Sequence, residues 1–436
     1  MNYTSTISFW QLLKALFLRC IIPSDRSVNE AIEVLQLQSL RSIQITLYFI
    51  FLSHMEDIMD KYYIGTLNNI SPKGLTRLTD RYELTEDVDK ANGIIVRSFK
   101  MHEMDFSDNL LAIGRAGAGV NNIPLDRCAD QGIVVFNTPG ANSNAVKELA
   151  IAGMIMGARN MYEGISWGQT LEGDVAANVE KGKKQFAGTE IMGKTLGIIG
   201  LGAIGAKIAN AAEALGMNVV GYEAFTPHPC LTADVKLCDS VEEMVPMCDF
   251  ISIHVPSLPT TKGMVNKDLI AKMKDGVIFM NYARPDLVVV DDIVEALESG
   301  KMRKYMTDLL EPEYIGKKGI VATPHLGAST AEAEENCAEM AVDELMDYLE
   351  NGNIVNSVNF PRVSMEKNGA ERHCFVLKND KTAEEVEAKM KEFYGDNLAA
   401  IKGAKVRNGE FGYFIVDVKA SAEPFNCDCI IKTRVL

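Results

Sequence analysis

Three glycines stand in the spacing GxGxxG within the run Gly200-Leu201-Gly202-Ala203-Ile204-Gly205. Gly200 suits a tight turn, Gly202 lets backbone approach a pyrophosphate, and Gly205 lets a following helix pack close to the preceding strand. A helix opening at Ala203 and Ile204 would turn unpaired N–H groups and a partial positive charge toward a diphosphate. Glu223, at the end of the next apolar run, can accept hydrogen bonds from ribose hydroxyls and would repel a 2′-phosphate, which favours NAD over NADP. The glycine spacing alone would also fit an ordinary strand–helix–strand crossover that binds nothing. The strand before it, the helix after it and the acid beyond are the context a nucleotide site requires.

Other polar clusters follow short apolar runs. Arg97 and Lys100, after Gly93 to Val96, can fix an anionic group, and the backbone from Gly117 to Gly119 can donate N–H groups to a carboxylate. Turns favour such residues anyway, so each cluster alone is equally a solvated turn. With six histidines in the chain, few imidazoles are available for proton transfer. His254, at the end of a predicted strand, and His325, after one, are the two competing candidates. No metal is expected: nine cysteines lie scattered, and Cys427-Asp428-Cys429 is too tight for a usual zinc knuckle. Free thiols in a reducing compartment, the cytoplasm, are the plain reading.

The elements that position these residues read as a parallel α/β architecture. Buried strands are expected at 93–96, 110–113, 132–136, 196–199, 218–221, 249–254, 276–280, 304–307 and near Ile320, alternating with helical stretches. In such sheets ligands bind beyond the carboxyl ends of the strands, where the polar clusters fall. A helix over Ala203 to Leu215 ends at Gly216, and a long helix over Asn142 to Arg159, capped by Ser143 or Asn144, links the first α/β unit to the second. The basic run Lys181 to Lys184 reads as a solvated loop. A further helix is expected from Ser329 to Leu349, ending before Gly352.

A chain of 436 residues makes two or three domains. Its formal net charge of −15 argues against nucleic acid and anionic membrane as partners. An anionic substrate would therefore need a local basic pocket. Residues 1–58 read differently from the rest. The apolar runs at 8–22 and 43–53 are shorter than a membrane span of about 20 residues, and no small-residue cleavage site follows either. Met55 and Met59 stand just before the first core strand at Lys61. The extension is therefore expected to lie outside the functional fold, as an upstream start-site artefact, which mass spectrometry of the native N-terminus would test.

The glycine motif with its acid, the strand ending in Arg284, the acidic turn Asp308-Leu309-Leu310-Glu311-Pro312-Glu313 and the run Ala322-Thr323-Pro324-His325-Leu326-Gly327-Ala328-Ser329-Thr330 occur in one order. With RAGAGVNNIPLDRCADQGIVVFNTPGANSNAVKELA upstream, this resembles the D-isomer-specific 2-hydroxyacid dehydrogenases over about residues 59–360, and most of all the members that oxidise D-3-phosphoglycerate. The resemblance implies two doubly wound parallel-sheet domains with the active site in the cleft between them. These are a discontinuous flavodoxin-like substrate domain (59–152 and 325–360) and a Rossmann NAD domain (153–324). Residues 368–436 resemble a small ACT-like α+β module, in which Lys378-Asn379-Asp380-Lys381 departs from the serine-binding pattern. A homodimer or larger homo-oligomer is implied.

By the same resemblance His325 is the base that takes the hydroxyl proton, a task suited to an imidazole, and His254 belongs to structure or the cofactor side. Arg284 holds the 2-hydroxycarboxylate with its planar fork; Pro285 stands where the family commonly has glycine. The acid orienting the imidazole is Glu313 by spacing, whereas matching Glu-Pro would select Glu311. Asp308, Ala283 and Gly327 line the cofactor, and Arg97, Ser98, Ala118 and Gly119 the substrate. Arg97 is what separates a phosphorylated substrate from hydroxypyruvate or glyoxylate. The competing functions are a hydroxypyruvate or glyoxylate reductase, and an NAD-sensing corepressor-like binding protein.

Overall fold

The computed structural model describes residues 61–378, 383–405 and 411–436. The expectations for residues 1–58, and for most of the loop 378–381, lie outside the described residues.

Short apolar runs form five parallel strands: β1 (Tyr62–Leu67), β2 (Tyr82–Thr85), β3 (Gly93–Val96), β4 (Ala112–Arg115) and β5 (Val134–Asn137). Their order is β2-β1-β3-β4-β5. The chain thus reverses its direction of travel across the sheet between β1 and β3, which opens a crevice beyond their carboxyl ends. β5 starts two residues later than its apolar run because Gly132, at φ 68°, belongs to the turn after the Leu125–Asp130 helix.

Seven parallel strands make the second sheet: β6 (Thr195–Ile199), β7 (Asn218–Tyr222), β8 (Val235–Leu237), β9 (Phe250–Ile253), β10 (Val277–Asn281), β11 (Met302–Thr307) and β12 (Ile320–Ala322). The order β12-β11-β10-β9-β6-β7-β8 places its crossover between β6 and β9. Helices cover both faces. Val146, Ala150 and Met154 of the Ser143–Ala158 helix join Ile208 and Ala212 of the Ala203–Ala214 helix against Leu196, Ile198 and Met280. Leu269, Ile270 and Ile293 cover Ile199, Ile251 and Phe279 opposite. β8 has no apolar run behind it, so periodicity passes over it.

After β12 the Ala331–Asn351 helix returns to the first sheet, burying Ala338, Ala341, Val342 and Leu345 with Ile64, Ile95 and Phe136. Thr330 caps its start by accepting the Ala333 N–H, and Gly352 ends it in the left-handed conformation. The tail folds as a third, antiparallel sheet: β13 (Glu371–Lys378), β14 (Leu398–Lys405), β15 (Phe411–Val418) and β16 (Ile430–Val435), ordered β14-β15-β13-β16. Alternate side chains divide its two faces. Phe375, Leu377, Phe414 and Val416 pack on the Ala383–Tyr394 helix, whereas Cys374, Val376, Tyr413 and Ile415 enter the core of the first sheet. Arg434 anchors that junction, stacking on Tyr348 at 4.6 Å and donating to the Tyr348 and Leu349 carbonyls.

Three local expectations are corrected. Neither Ser143 nor Asn144 caps the long helix. Asn142 is the capping residue, without a side-chain bond, while the Ser143 hydroxyl donates back to Gly140 O and Asn144 bonds Glu148. Lys181 to Lys184 is helical rather than a loop, spanning the end of the Val175–Gly182 helix and a following 3-10 turn, with Lys183 satisfied by Glu180. Cys427 and Cys429 form a disulfide rather than two free thiols; Cys128, Cys230, Cys238, Cys248, Cys337 and Cys374 are free. The tight spacing that disfavours zinc still lets a turn, closed by the Ile430 N–H on Cys427 O, bring the two sulfurs together.

Candidate active site

At the crossover of the second sheet, each glycine of the motif meets a different constraint. Gly200 has φ 94°, and a Cβ there would sit 2.8 Å from the His254 carbonyl oxygen. A Cβ on Gly205 would lie 2.0 Å from the Gly200 oxygen, so helix and turn touch through their backbones. Around Gly202 nothing lies within 4 Å of such a Cβ. The first and third glycines are thus required by the fold itself, while the second borders open space that a bound group can enter. The helix starting at Ala203 and Ile204 has no side-chain cap, so its first N–H groups stay available to an anion.

Glu223 follows β7 and reaches back over this turn. Its Oε2 accepts the Leu201 N–H at 2.6 Å and its Oε1 the Phe225 N–H at 3.1 Å. Each oxygen keeps lone-pair capacity for a hydroxyl donor. His254, behind Gly200, is a neutral group: burial lowers its pKa to about 3, and Nε2 pairs with the Ser252 hydroxyl at 2.7 Å.

Asp308 and Gly327 lie at the carboxyl end of the same sheet. Asp308 is 2% exposed, and its Oδ2 accepts the Gly327 N–H at 2.7 Å while Oδ1 is buried with no partner. Burial raises its pKa, opposed by the Gly327 N–H and by the charges of His325 and Arg284. A buried acceptor without a donor costs stability unless a ligand supplies one. The open space at Gly202, the uncapped helix and this orphaned oxygen therefore fit an NAD molecule.

His325 stands on a left-handed backbone (φ 54°), its N–H shared between Asp308 O at 2.7 Å and Thr323 O at 2.9 Å. The side chain lines a cavity of about 290 Å³ at the carboxyl end of the first sheet, with Arg97, Arg115, Gly117, Asn142 and Ser329. Arg97 follows β3, Arg115 ends β4, and the Ala331–Asn351 helix closes the far wall through Glu334 and Cys337. Arg97 Nη2 lies 2.5 Å from Glu334 Oε1. The Arg115 guanidinium folds over Gly117, whose Cβ would meet Nη1 at 1.5 Å, and its Nε is buried without a partner. Burial, and after it the charges of Arg97 and Arg284, lower the Arg115 pKa. Two arginines, Arg97 and Arg115, thus line one cavity in a chain of net charge −15.

The remaining expected residues fall around this centre. Arg284 is exposed after β10, its Nη1 donating to Ala283 O, while Asn281 accepts the Ala283 N–H and donates to Arg284 O. Pro285 opens a 3-10 turn and leaves Arg284 extended, with its guanidinium outside. Among the described residues neither Glu311 nor Glu313 hydrogen-bonds His325; Glu313 is exposed in the 3-10 turn Pro312–Tyr314. Ser98 and Phe99 give their N–H groups to Asn68 Oδ1 and Ala118 O accepts from Asn137, so the cavity is lined by Gly117 rather than by Ser98, Ala118 or Gly119. Sequence reasoning missed Arg115 and Glu334. The rule that sites lie beyond strand carboxyl ends could have flagged Arg115 as it did Arg97. Glu334 reaches Arg97 across 237 positions and carries no local signal.

Comparison with known proteins sets this geometry among relatives. Residues 151–327 match the family described as "D-isomer specific 2-hydroxyacid dehydrogenase, NAD binding domain". A D-3-phosphoglycerate dehydrogenase of Haemophilus influenzae is 32% identical, covering 82% of this chain and 89% of its own length. That of Methanocaldococcus jannaschii is 35% identical over 68% of this chain, which spans only 57% of that relative. Among solved structures, an NAD+-bound 3-phosphoglycerate dehydrogenase of Entamoeba histolytica superposes with TM-score 0.54 at 29% identity, covering 69% of this chain and 99% of that one. A glyoxylate reductase of Paecilomyes thermophila gives 0.58 at 25% identity, covering 68% and 98%.

Proposed function

The chain belongs to the D-isomer-specific 2-hydroxyacid dehydrogenases, and from that premise we propose that it oxidises D-3-phosphoglycerate to 3-phosphohydroxypyruvate with NAD, the first step of serine biosynthesis. The observation that carries the reading is the cavity at the first sheet's carboxyl end, where Arg97 and Arg115 meet His325 on one wall.

Bound NAD supplies the acceptor for the hydride leaving the substrate's C2. Gly200, Gly202, Ala203, Ile204 and Gly205 would hold its diphosphate, Glu223 its adenosine ribose, and Ala283, Asp308 and Gly327 its nicotinamide end. Arg284 grips the carboxylate, through two parallel N–H contacts, and orients the carbon. His325 takes the hydroxyl proton, and its new positive charge is stabilised by nearby carboxylates. The charge of His325 acts on Asp308 in the free chain, and Glu313, with Glu311 as the other candidate, is the acid assigned to orient the imidazole. Arg97 and Arg115 hold the phosphate.

In this reading residues 59–152 with 325–360 are the substrate domain, 153–324 the NAD domain and 368–436 an ACT-like module. The exposed apolar side chains Met161, Tyr162 and Ile165 of the Met161–Gly168 helix support a homodimer or larger assembly. The six free thiols among the described residues support a cytoplasmic location; among the described residues no helix is long and apolar enough to cross a membrane.

One observation favours a second reading. Glu334 already satisfies Arg97, so a reductase of unphosphorylated hydroxypyruvate or glyoxylate would leave that pair intact. The test is NADH formation by the full chain with D-3-phosphoglycerate, against NADH consumption with phosphohydroxypyruvate, hydroxypyruvate and glyoxylate. A kcat/KM preference for the phosphorylated pair is expected; preference for the unphosphorylated acids selects the reductase.

A further inference from the structure

Glu334 sits on the first turn of the Ala331–Asn351 helix and faces the cavity rather than the solvent-side row formed by its neighbours. Glu335 and Glu339 are both taken up by Lys73, at 3.1 and 3.3 Å. Glu334 instead reaches Arg97 at 2.5 Å, and the two side chains are 40% and 41% exposed, so the pair stands at the open side of the cavity. The helix start further stabilises a carboxylate in this position. Beneath it lies Arg115, turned inward over Gly117 with its Nε unpartnered.

We infer that Glu334 is a specificity-determining residue: in the free enzyme its carboxylate occupies the place on Arg97 that the substrate's phosphate must take. This rests on the phosphoglycerate reading above. A phosphorylated substrate binds by exchange, displacing one anion from Arg97 and leaving it beside a dianion. The released Glu334 does not gain Lys73, which is held by Glu335 and Glu339, and Arg115 faces the substrate. An unphosphorylated 2-hydroxy or 2-oxo acid binds at Arg284 and His325 without disturbing the pair. Glu334 therefore narrows the preference that the arginines create, and does so through binding rather than through the chemical step.

The experiment compares wild type, Glu334→Gln, Glu334→Ala and Arg97→Ala in the full chain, with D-3-phosphoglycerate, phosphohydroxypyruvate and hydroxypyruvate. Both Glu334 variants are expected to lower KM for the phosphorylated pair by about three- to tenfold, the scale of one exposed ion pair plus relieved like-charge repulsion. The KM for hydroxypyruvate is expected to move less than about twofold, and kcat with every substrate to stay within the same bound. The KM difference should shrink in 1 M salt, where the screening length falls to about 3 Å. A raised KM for the phosphorylated pair would overturn the inference, since Glu334 would then be holding Arg97 in its productive pose. An unchanged KM in both Glu334 variants, with Arg97→Ala still selective against phosphorylated substrates, would overturn this inference and leave the proposed function standing. Equal effects of Arg97→Ala on all substrates would remove both.

Discussion

The Gly327 N–H donates to Asp308 Oδ2 at 2.7 Å, and a Cβ on Gly327 would lie only 2.5 Å from that same oxygen. The loop after β12 can therefore close on the end of β11 only because residue 327 has no side chain. The same closure holds the His325 N–H on Asp308 O and seats the imidazole at the cavity wall.

Gly327→Ala is expected to push this loop off Asp308 and misplace His325. Misplacement on the ångström scale costs about a hundredfold in kcat, with a Tm loss of only a few degrees. Steady-state kinetics beside thermal unfolding would check it, and an unchanged kcat would show that the closure does not position the imidazole.

Two glycines of the nucleotide turn should separate binding from stability. Gly202→Ala meets nothing within 4 Å, so Tm should hold while the added methyl obstructs the diphosphate and weakens NADH binding about tenfold or more. Gly205→Ala would place its Cβ 2.0 Å from Gly200 O, and overpacking of this kind destabilises by about 1–3 kcal/mol. Calorimetry of NADH binding and of unfolding distinguishes the two; equal Tm losses would refute the division.

His325→Ala is expected to reduce kcat by roughly 10²- to 10⁴-fold, the usual contribution of a positioned acid–base group. NADH affinity, measured by fluorescence titration, should change less than about twofold. Comparable loss of both would contradict the assignment of His325 to proton transfer.

Arg97→Ala and Arg115→Ala should each raise KM for D-3-phosphoglycerate by about ten- to hundredfold, the worth of a charge-assisted contact. The effect on hydroxypyruvate should be much smaller. Kinetics on both substrates test this, and an Arg115→Ala effect equal on both would move that residue from the phosphate to the carboxylate.

Glu344 supplies a pH dependence. Burial raises its pKa from 4.5 to about 7, with Oε1 accepting from Asn356 at 2.6 Å and Oε2 buried without a partner. The folded state thus holds this proton more tightly than the unfolded chain. The contribution is fully present below pH 4.5 and is lost as pH rises through about 7. It amounts to about 3 kcal/mol. Glu344→Gln should raise Tm at pH 8 and flatten its fall between pH 5 and 8; a Tm that drops at pH 8 would reverse the sign.

Much of the framework was legible before any coordinates. The turn at Gly200, the helix from Ala203, the strands β3, β6, β9 and β10 and the end at Gly352 follow from periodicity and near-neighbour sterics, which act over a few residues. Helices at 161–168 and 175–182 were passed over because each is only eight residues long and buries none of its side chains. The disulfide was missed because a two-residue spacing says nothing about whether the turn between the sulfurs folds tightly enough.

Residue types and order alone determined the parallel α/β class, the NAD turn and the family; the end of a strand that must face a ligand pointed to Arg97, and the family resemblance pointed to His325 and Arg284. Only tertiary structure decided what stands opposite each of them. The pairing of Arg97 with Glu334, the contact of Gly327 with Asp308 and the shared core of the first and third sheets all join positions distant in the chain. Such contacts depend on how completed elements pack, and a local pattern contains no term for that.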